Sequence, residues 1–365
     1  MKNIVLCCDG TANEIAGDQT NVVKLFFALT HEDVSRQVAY YHPGAGTMEL
    51  PGALTGAAKT VTRLLGKLVG YGLEQDISSA YIFLMQTYDP GDRVFLFGFS
   101  RGAYTVRYVS AMIFAYGLLP TGNECLVPYL IRAMSAVKDP DKRLLVAKLV
   151  KETSFSRDCS SSFLGVWDTV SSVGWFQNRL MTEYMSYNPS ISVGRHALAM
   201  DERRSFFEPM TWGTQLPGIP VDFKQVWFPG VHSDVGGGYS EPQSGLSKIA
   251  LTWMLGEAQT SGLLLDRTRT ELVLGEQGSG YVKPDSNAKI HDSMTFAWQF
   301  AELLPRRNYD PMTYKMRRRP HLSRRRYIPP GSFVHESAYQ RADNYKMTLP
   351  ENGVSVSSVP LKWSS

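Results

Sequence analysis

The stretch Val94-Phe-Leu-Phe-Gly-Phe-Ser-Arg-Gly-Ala103 decides how this chain folds. An apolar run leads into the pattern Gly98-x-Ser100-x-Gly102, and an apolar segment follows as far as Tyr116. This order predicts a buried strand, a tight turn and a helix, which is the arrangement called a nucleophile elbow. A serine hydroxyl attacks only when a base takes its proton, so it must stand clear of the sheet edge on a turn with little bulk beside it. Ser100 is therefore the candidate nucleophile.

Length and composition favour a large globular domain. The 365 residues are 43% hydrophobic and 12% aromatic, which is enough for a sizeable core. The chain has four cysteines, of which Cys7 and Cys8 would point to opposite faces of one strand, so a disulfide framework is not expected. The apolar run after Lys2 is too short for a signal peptide, and no run reaches the roughly 18 apolar residues of a membrane span. We therefore expect a protein made in the cytoplasm, whose export would need a route without a cleaved leader.

Strand and helix patterns alternate in the first hundred residues. Residues 4–8 and 38–41 read as buried strands, residues 73–88 carry apolar side chains at helical spacing, and residues 94–97 form the strand before Ser100. Short links between such elements predict right-handed crossovers and a mainly parallel sheet with helices on both faces. In such a sheet a ligand binds at the carboxyl ends of the strands.

These patterns predict an α/β fold of the α/β-hydrolase type. We expect a single domain over residues 1–340, with helical insertions at about 121–157 and 171–220, followed by a C-terminal tail over 341–365. The last stretch of this tail, residues 354–365, is serine-rich and is expected to be loosely ordered. Within the second insertion, residues 194–203 read as a short helix.

Two further strand ends supply an acid and a base. Asp168 follows the strand pattern of residues 162–167, and His232 follows that of residues 225–228 and precedes three consecutive glycines. The order Ser100, Asp168, His232 along the chain is the order of a hydrolase triad. For Asp168 alone, a helix N-cap or a turn is the structural alternative.

The loop after the first strand is the candidate for an oxyanion site. In an α/β hydrolase the amide after the nucleophile, here that of Arg101, is one donor, and the other comes from a loop after a neighbouring strand. Asp9, Gly10 and Thr11 occupy that position, which makes Gly10 and Thr11 candidate donors and Asp9 a candidate supporting residue. Asp234, two residues after His232, is a second candidate supporting residue. The alternative for Asp9 is a turn residue that starts the next helix.

Positive charge is concentrated near the C-terminus. Residues 301–326 carry a net charge of +7, against −3 for the rest of the chain, and include the triplets 317–319 and 324–326. A solvated basic face or structural ion pairs is the ordinary interpretation of such runs. The functional interpretation is contact with an anionic membrane surface or an acidic partner, and no nucleic-acid recognition module is visible.

The motifs together resemble the catalytic domain of the type VI secretion phospholipase effectors. The resemblance rests on four ordered motifs, at residues 8–11, 98–103, 166–170 and 229–239, with a weaker echo at 335–337. It implies an esterase in which Ser100 is the nucleophile, His232 the base and Asp168 the acid, and it supports Gly10 and Thr11 as oxyanion donors. It also implies an ester or lipid substrate, with phospholipid acyl esters as the expected class.

Two alternatives to this serine esterase remain open on the sequence. One is a metal-dependent phosphoesterase that uses Asp9, His232 and Asp234 as ligands, which would leave Ser100 without a purpose. The other is a hydrolase-like scaffold that acts as a binding or assembly module through its basic C-terminal face. A serine esterase itself needs no metal and no organic cofactor.

Overall fold

The structure is a computed structural model, and it covers most of the chain with several gaps. The described residues are 1–11, 18–44, 72–137, 139–170, 183–186, 188–213, 222–276, 278, 280–295, 298–299, 302, 306–310, 315–319, 321–341, 345 and 349–363. The predictions for residues 12 and 13 of the first loop, and for much of the insertion at 171–220, lie outside these residues.

One parallel sheet forms the centre of the molecule. Its eight strands lie in the order β2-β1-β3-β4-β5-β6-β9-β10, and every neighbouring pair is parallel. An antiparallel pair, β7 and β8, stands apart from it. The strands are β1 Asn3–Thr11, β2 Gln37–Gly44, β3 Arg93–Phe99, β4 Ser161–Trp167, β5 Ile191–Ala199, β6 Asp222–Phe228, β7 Arg306–Asp310, β8 Lys315–Arg319, β9 Phe333–His335 and β10 Val354–Val356.

Helices cover both faces of this sheet. They are α1 Asn21–Ala28, α2 Leu73–Thr87, α3 Arg101–Tyr116, α4 Val127–Ala136, α5 Pro140–Thr153, α6 Glu183–Ser186, α7 His232–Gly236, α8 Gly245–Thr260 and α9 Arg267–Val273. The α/β architecture with a mainly parallel sheet is therefore confirmed. None of the helices among the described residues is long and apolar enough to cross a membrane.

Side chains alternate along each strand, so the sheet has a large hydrophobic core on each of its two faces. Leu6 and Cys8 of β1 belong to the core under α2 and α3, whereas Val5 and Cys7 belong to the core under α1 and α8. The prediction that Cys7 and Cys8 point to opposite faces is confirmed. Helix α3 lies almost wholly inside the first core, because it is apolar on nearly all sides.

Two predictions about the second half of the chain are wrong. Residues 194–203 do not form a helix, because Ile191–Ala199 is strand β5, in register with both β4 and β6. The run from Ala197 to Met200 favours a helix locally, but burial between two strands outweighs that preference. Residues 354–356 are not a loose tail, because they add strand β10 to the edge of the sheet. The region 121–157 contains helices α4 and α5.

The glycines on either side of Ser100 are required by close backbone contacts. A Cβ atom at Gly98 would lie 2.5 Å from the carbonyl oxygen of Gly102, inside the turn. A Cβ atom at Gly102 would overlap the carbonyl oxygen of Cys8, so α3 could no longer approach β1 at its present distance. The two glycines allow a strand and a helix to meet at an angle that larger residues would prevent.

We expect Gly102→Ala to lower the free energy of unfolding by about 3 kcal/mol, because the new methyl group meets rigid backbone rather than a movable side chain. Gly213→Ala is the matched control, since a Cβ there would meet only an atom 3.8 Å away. Chemical denaturation of the two variants measures the difference. Equal stability of both variants would contradict this account of the turn.

Candidate active site

The candidate residues lie at one edge of the sheet because parallel strands all end there. Asp9 stands near the end of β1, Ser100 follows β3, Asp168 follows β4 and His232 follows β6. The strand order changes direction between β1 and β3, since the chain passes from β1 out to β2 and returns to β3 on the other side. Clefts of open α/β sheets form at such a point, outside the carboxyl ends of the strands.

Ser100 occupies a strained turn between β3 and α3. Its backbone has φ 57° and ψ −116°, a conformation that residues with a side chain seldom adopt. The turn is held by the Ser100 amide, which donates to the Trp167 carbonyl at 3.1 Å, and by the Tyr104 amide, which donates to the Ser100 carbonyl at 3.2 Å. The N-terminus of the 16-residue helix α3 follows immediately, so its partial positive charge lies beside the serine.

Asp168 is fully buried at the end of the next strand, also with a positive φ, of 39°. Its carboxylate accepts four hydrogen bonds from described residues. Oδ1 accepts from the Ala199 amide at 3.0 Å and from Arg326 Nη1 at 2.6 Å, while Oδ2 accepts from His232 Nδ1 at 2.5 Å and from Arg326 Nη2 at 3.0 Å. A carboxylate has about four lone-pair directions, so this acid is saturated.

His232 begins the short helix α7 and lies between two aromatic rings. The ring centroid of Phe99, the residue before Ser100, is 4.6 Å from that of the imidazole, and the ring of Phe207 approaches from another side at 4.8 Å. Only 5% of the His232 side chain is exposed. The imidazole is therefore enclosed by Phe99, Phe207 and Asp168, in the same corner as the Ser100 turn.

The protonation of this histidine follows from its partner. Burial by itself would raise the pKa of Asp168, but the charge of Arg326 and the hydrogen bond from His232 hold that pKa well below its usual range. An ionised carboxylate can only accept, so Nδ1 of His232 carries the proton and donates it. Nε2 is then the lone-pair nitrogen, which is the atom that a base needs. Burial lowers the pKa of His232, although Asp168 acts in the opposite direction, so the neutral ring is favoured.

Two reactive atoms of the site lack a hydrogen-bond partner among the described residues. Neither the Ser100 hydroxyl nor Nε2 of His232 makes a hydrogen bond with any residue in the described ranges. Hydrogen bonds between a nucleophile and its base are often long before a substrate binds. The structure thus joins Asp168 to His232 directly, and brings the Ser100 turn next to them through Phe99.

A buried carboxylate that the sequence did not single out supports the histidine loop. Glu202 accepts from the His232 amide at 3.2 Å and from Arg204 Nε at 2.9 Å. Burial would raise the pKa of Glu202, but hydrogen bonds from Arg204 and the charges of Arg204 and Arg326 lower it to about 2. Glu202 follows β5, which the sequence pattern predicts as a helix, so the pattern does not place Glu202 at the edge of the sheet.

Strand β1 is longer than the sequence pattern predicts, because it extends to Thr11 and includes residues that were expected in the following loop. Gly10 and Thr11 still belong to strand β1, and the Gly10 amide donates to Oδ1 of Asp9 at 2.6 Å. Asp9 also accepts from the hydroxyls of Thr20 at 2.7 Å and Tyr41 at 2.8 Å, so it fixes this part of the backbone. The amide of Gly10 is therefore engaged with Asp9, while Thr11 lies opposite Gly44 of β2 and remains the other candidate donor on this strand. Arg101 is the first residue of α3, and burial lowers the pKa of its guanidinium to about 10.

The Asp234 carboxylate pairs with His291, not with His232. Its Oδ1 lies 2.6 Å from Nδ1 of His291, and its Oδ2 accepts from the Val231 amide at 3.0 Å. Across the residues that the structure describes, no three His, Cys, Asp or Glu side chains come close enough to hold a metal ion. The alternative in which Asp9, His232 and Asp234 bind one metal is therefore wrong.

The arginine triplet 324–326 of the basic C-terminal segment contains both exposed and buried side chains. Arg324 and Arg325 are exposed, whereas only 6% of the Arg326 side chain is accessible, because it reaches Asp168. Neighbouring arginines in one triplet thus have opposite environments. The sequence contains no signal that distinguishes Arg326 from the other two, since the contact spans 158 positions.

Comparison with known proteins gives one family. The family model for the T6SS phospholipase effector Tle1-like catalytic domain matches residues 2–257. The uncharacterized protein YEL023C of Saccharomyces cerevisiae is 36% identical over 240 residues, which cover 62% of this chain and 35% of the yeast protein.

Two solved structures are also similar. An uncharacterized protein from Pseudomonas aeruginosa has 20% identity and a TM-score of 0.43, over 78% of this chain and 49% of that chain. The Tle1 effector bound to the VgrG spike of the type VI secretion system has 19% identity and a TM-score of 0.35, over 67% of this chain and 52% of that chain. The chain spans about a third of its yeast relative and about half of each of these structures.

Proposed function

Because the chain belongs to the family of T6SS phospholipase effector Tle1-like catalytic domains, we propose that it hydrolyses acyl ester bonds of phospholipids through Ser100, His232 and Asp168. The observation that carries this proposal is the hydrogen bond of 2.5 Å between His232 Nδ1 and Asp168 Oδ2, in the corner where the Ser100 turn ends β3. The family supports hydrolysis of lipid esters in general, and the roles of the three residues are our proposal.

The first half of the reaction forms an acyl-enzyme. Nε2 of His232 accepts the proton of the Ser100 hydroxyl as Oγ attacks the carbonyl carbon of the ester. The ionised Asp168 stabilises the imidazolium that results. The imidazolium then gives its proton to the departing alcohol oxygen, the bond between that oxygen and the acyl carbon breaks, and the acyl group remains on Ser100.

The second half uses water in the place of the alcohol. His232 takes a proton from water, the hydroxide attacks the acyl carbon, and the proton returns to Ser100 Oγ as the fatty acid leaves. In both halves a negative oxygen forms, and we assign its stabilisation to the amides of Arg101 and Thr11 and to the N-terminus of α3. Gly10 would join them only if its amide released Asp9.

Labelling and hydrolysis test this proposal directly. The purified chain is treated with a fluorophosphonate probe, and peptide mass spectrometry locates the adduct. It is then incubated with phosphatidylcholine vesicles, and the released fatty acid is measured with and without a chelator. We expect an adduct on Ser100 and release that the chelator does not change. An adduct elsewhere, or none, would overturn the assignment of the nucleophile, and labelling without fatty-acid release would overturn the phospholipid substrate.

The exposed part of the basic segment suggests a lipid preference. Arg324 and Arg325 are exposed, so they are available to anionic head groups, each worth about 1 kcal/mol near a charged surface. We propose that vesicles containing phosphatidylserine are hydrolysed faster than vesicles of phosphatidylcholine alone. Equal rates on both would contradict this role, without bearing on the chemistry at Ser100.

The pH dependence of the reaction follows from the environment of the base. Because burial lowers the pKa of His232 in spite of Asp168, the neutral ring should persist below the ordinary histidine value of about 6.5. We expect kcat/KM for a soluble short-chain ester to fall only below about pH 6.5. The measurement is a pH profile at constant ionic strength. An acid limb centred at or above pH 7 would contradict the burial of the base.

A further inference from the structure

We infer that Arg326 is a positioning residue of the active site, which holds the Asp168 carboxylate in the orientation that meets Nδ1 of His232. This inference rests on the proposed function, since it assigns a role within the same site. It also makes the last third of the chain part of the catalytic unit, because Arg326 lies beyond residues 2–257 that the family model matches.

Arg326 binds both oxygens of Asp168. Nη1 donates to Oδ1 at 2.6 Å and Nη2 donates to Oδ2 at 3.0 Å, the two-pronged geometry in which a guanidinium matches a carboxylate. Once Arg326 and the Ala199 amide have taken three acceptor positions, only one position on Oδ2 remains, and His232 Nδ1 occupies it. The carboxylate therefore cannot turn without breaking several hydrogen bonds at once.

The guanidinium is itself anchored in the wall of the site. Nη1 also donates to the Ala199 carbonyl at 2.9 Å, and Nη2 also donates to the Phe207 carbonyl. Ala199 ends β5 and Phe207 is the residue whose ring packs against His232. Arg326 thus links the Asp168 carboxylate to the backbone at the end of β5 and to the backbone of Phe207.

The segment that carries Arg326 is fastened to the same wall. Glu302 accepts from the Ser205 amide at 2.7 Å and lies 3.0 Å from His321 Nδ1, while the ring of Trp298 packs on Phe207 at 5.6 Å between centroids. These contacts place the C-terminal segment against residues 205–207 before the chain reaches Arg326. The buried arginine is therefore held by a folded segment and not by a single flexible side chain.

The charges around His232 define what Arg326 does to its protonation. Asp168 and Glu202 favour the imidazolium, whereas burial and the charge of Arg204 disfavour it. Arg326 pairs with the carboxylate that touches Nδ1, so its removal would leave Asp168 with its full charge directed at the ring. We therefore expect the imidazolium to become easier to form when Arg326 loses its charge.

Two variants and one control separate this role from a structural one. Arg326→Gln removes the charge, and we expect its acid limb in kcat/KM to move up by about one pH unit, with kcat about 10- to 100-fold lower. Arg326→Lys keeps the charge but not the two-pronged contact, so kcat should fall while the acid limb stays in place. Arg269→Gln, at an exposed arginine of α9, makes the same change in net charge and should match the wild type.

The outcomes are distinct. A folded Arg326→Gln with an unchanged pH profile would overturn the inference, as would an equal shift in Arg269→Gln. If Arg326→Gln fails to fold, Arg326→Lys decides the question, because a lower kcat with an unchanged acid limb would support the inference and an unchanged kcat would overturn it. Unfolding of both variants would also overturn it, since it would identify a purely structural arginine. Fluorophosphonate labelling of the wild type runs in parallel. Absence of labelling on Ser100 would reject the proposed function itself, whereas labelling with unaffected variants would reject only the role of Arg326.

Discussion

Ser100→Ala should reduce kcat for ester hydrolysis by about a million-fold and abolish labelling by a fluorophosphonate. The expected loss is this large because no other group would supply the nucleophile, and the base then has nothing to activate. The amides and the helix N-terminus beside the turn remain, so a residual rate above that of water is expected.

The control for this variant is Ser35→Ala. Ser35 is exposed on the turn before β2, where its hydroxyl donates to Asp33 at 2.5 Å, and its replacement should leave the rate unchanged. Thermal unfolding of both variants establishes that each is folded. A folded Ser100→Ala that kept more than about a hundredth of the wild-type rate would exclude Ser100 as the nucleophile.

Asp168→Asn should lower kcat by about ten-thousand-fold and also destabilise the fold. The amide would favour the wrong tautomer of His232, because its NH2 group donates where the carboxylate accepts. Arg326 would lose its counter-charge in a buried site, a loss that costs about 3–5 kcal/mol when one partner of a buried pair is removed. Measurements of kcat and of the unfolding temperature report the two effects separately.

Asp234→Asn provides the matched control, since Asp234 is also a buried acid with a histidine partner. It lies on the helix of His232 but does not contact that ring, so its loss should cost about tenfold or less, comparable to the loss of a helix cap. If Asp234→Asn were the more damaging of the two, the acid of the site would have to be reassigned.

Much of the fold could be predicted because local signals and burial agree in the first half of the chain. The apolar run before Ser100, the glycines around it and the apolar segment after it each have one simple structural solution, and the structure contains it. Residues 191–199 lack that agreement, since strand-forming Ile191 and Val193 are followed by helix formers. There the neighbouring strands decide, and no local pattern reports them.

Some residues of the candidate site could be predicted from the sequence, and others could not. Asp168 and His232 follow strands, so the topology of a parallel sheet suffices to bring them to one edge. Glu202 and Arg326 are different, because their roles depend on contacts between segments far apart in the sequence. A triplet of arginines predicts a basic surface equally well for each member, and only the fold determines which one turns inward.

The long separation between Asp168 and Arg326 also has a consequence in time. The two residues stand 158 positions apart, and ribosomes add about 5–20 residues per second, so the arginine is made roughly 10–30 s after the acid. During that interval strands β1, β3 and β4 can already assemble, whereas the Asp168 carboxylate at the end of β4 still lacks the Arg326 guanidinium. The active site is therefore completed only after Arg326 has been made, well after strands β1, β3 and β4.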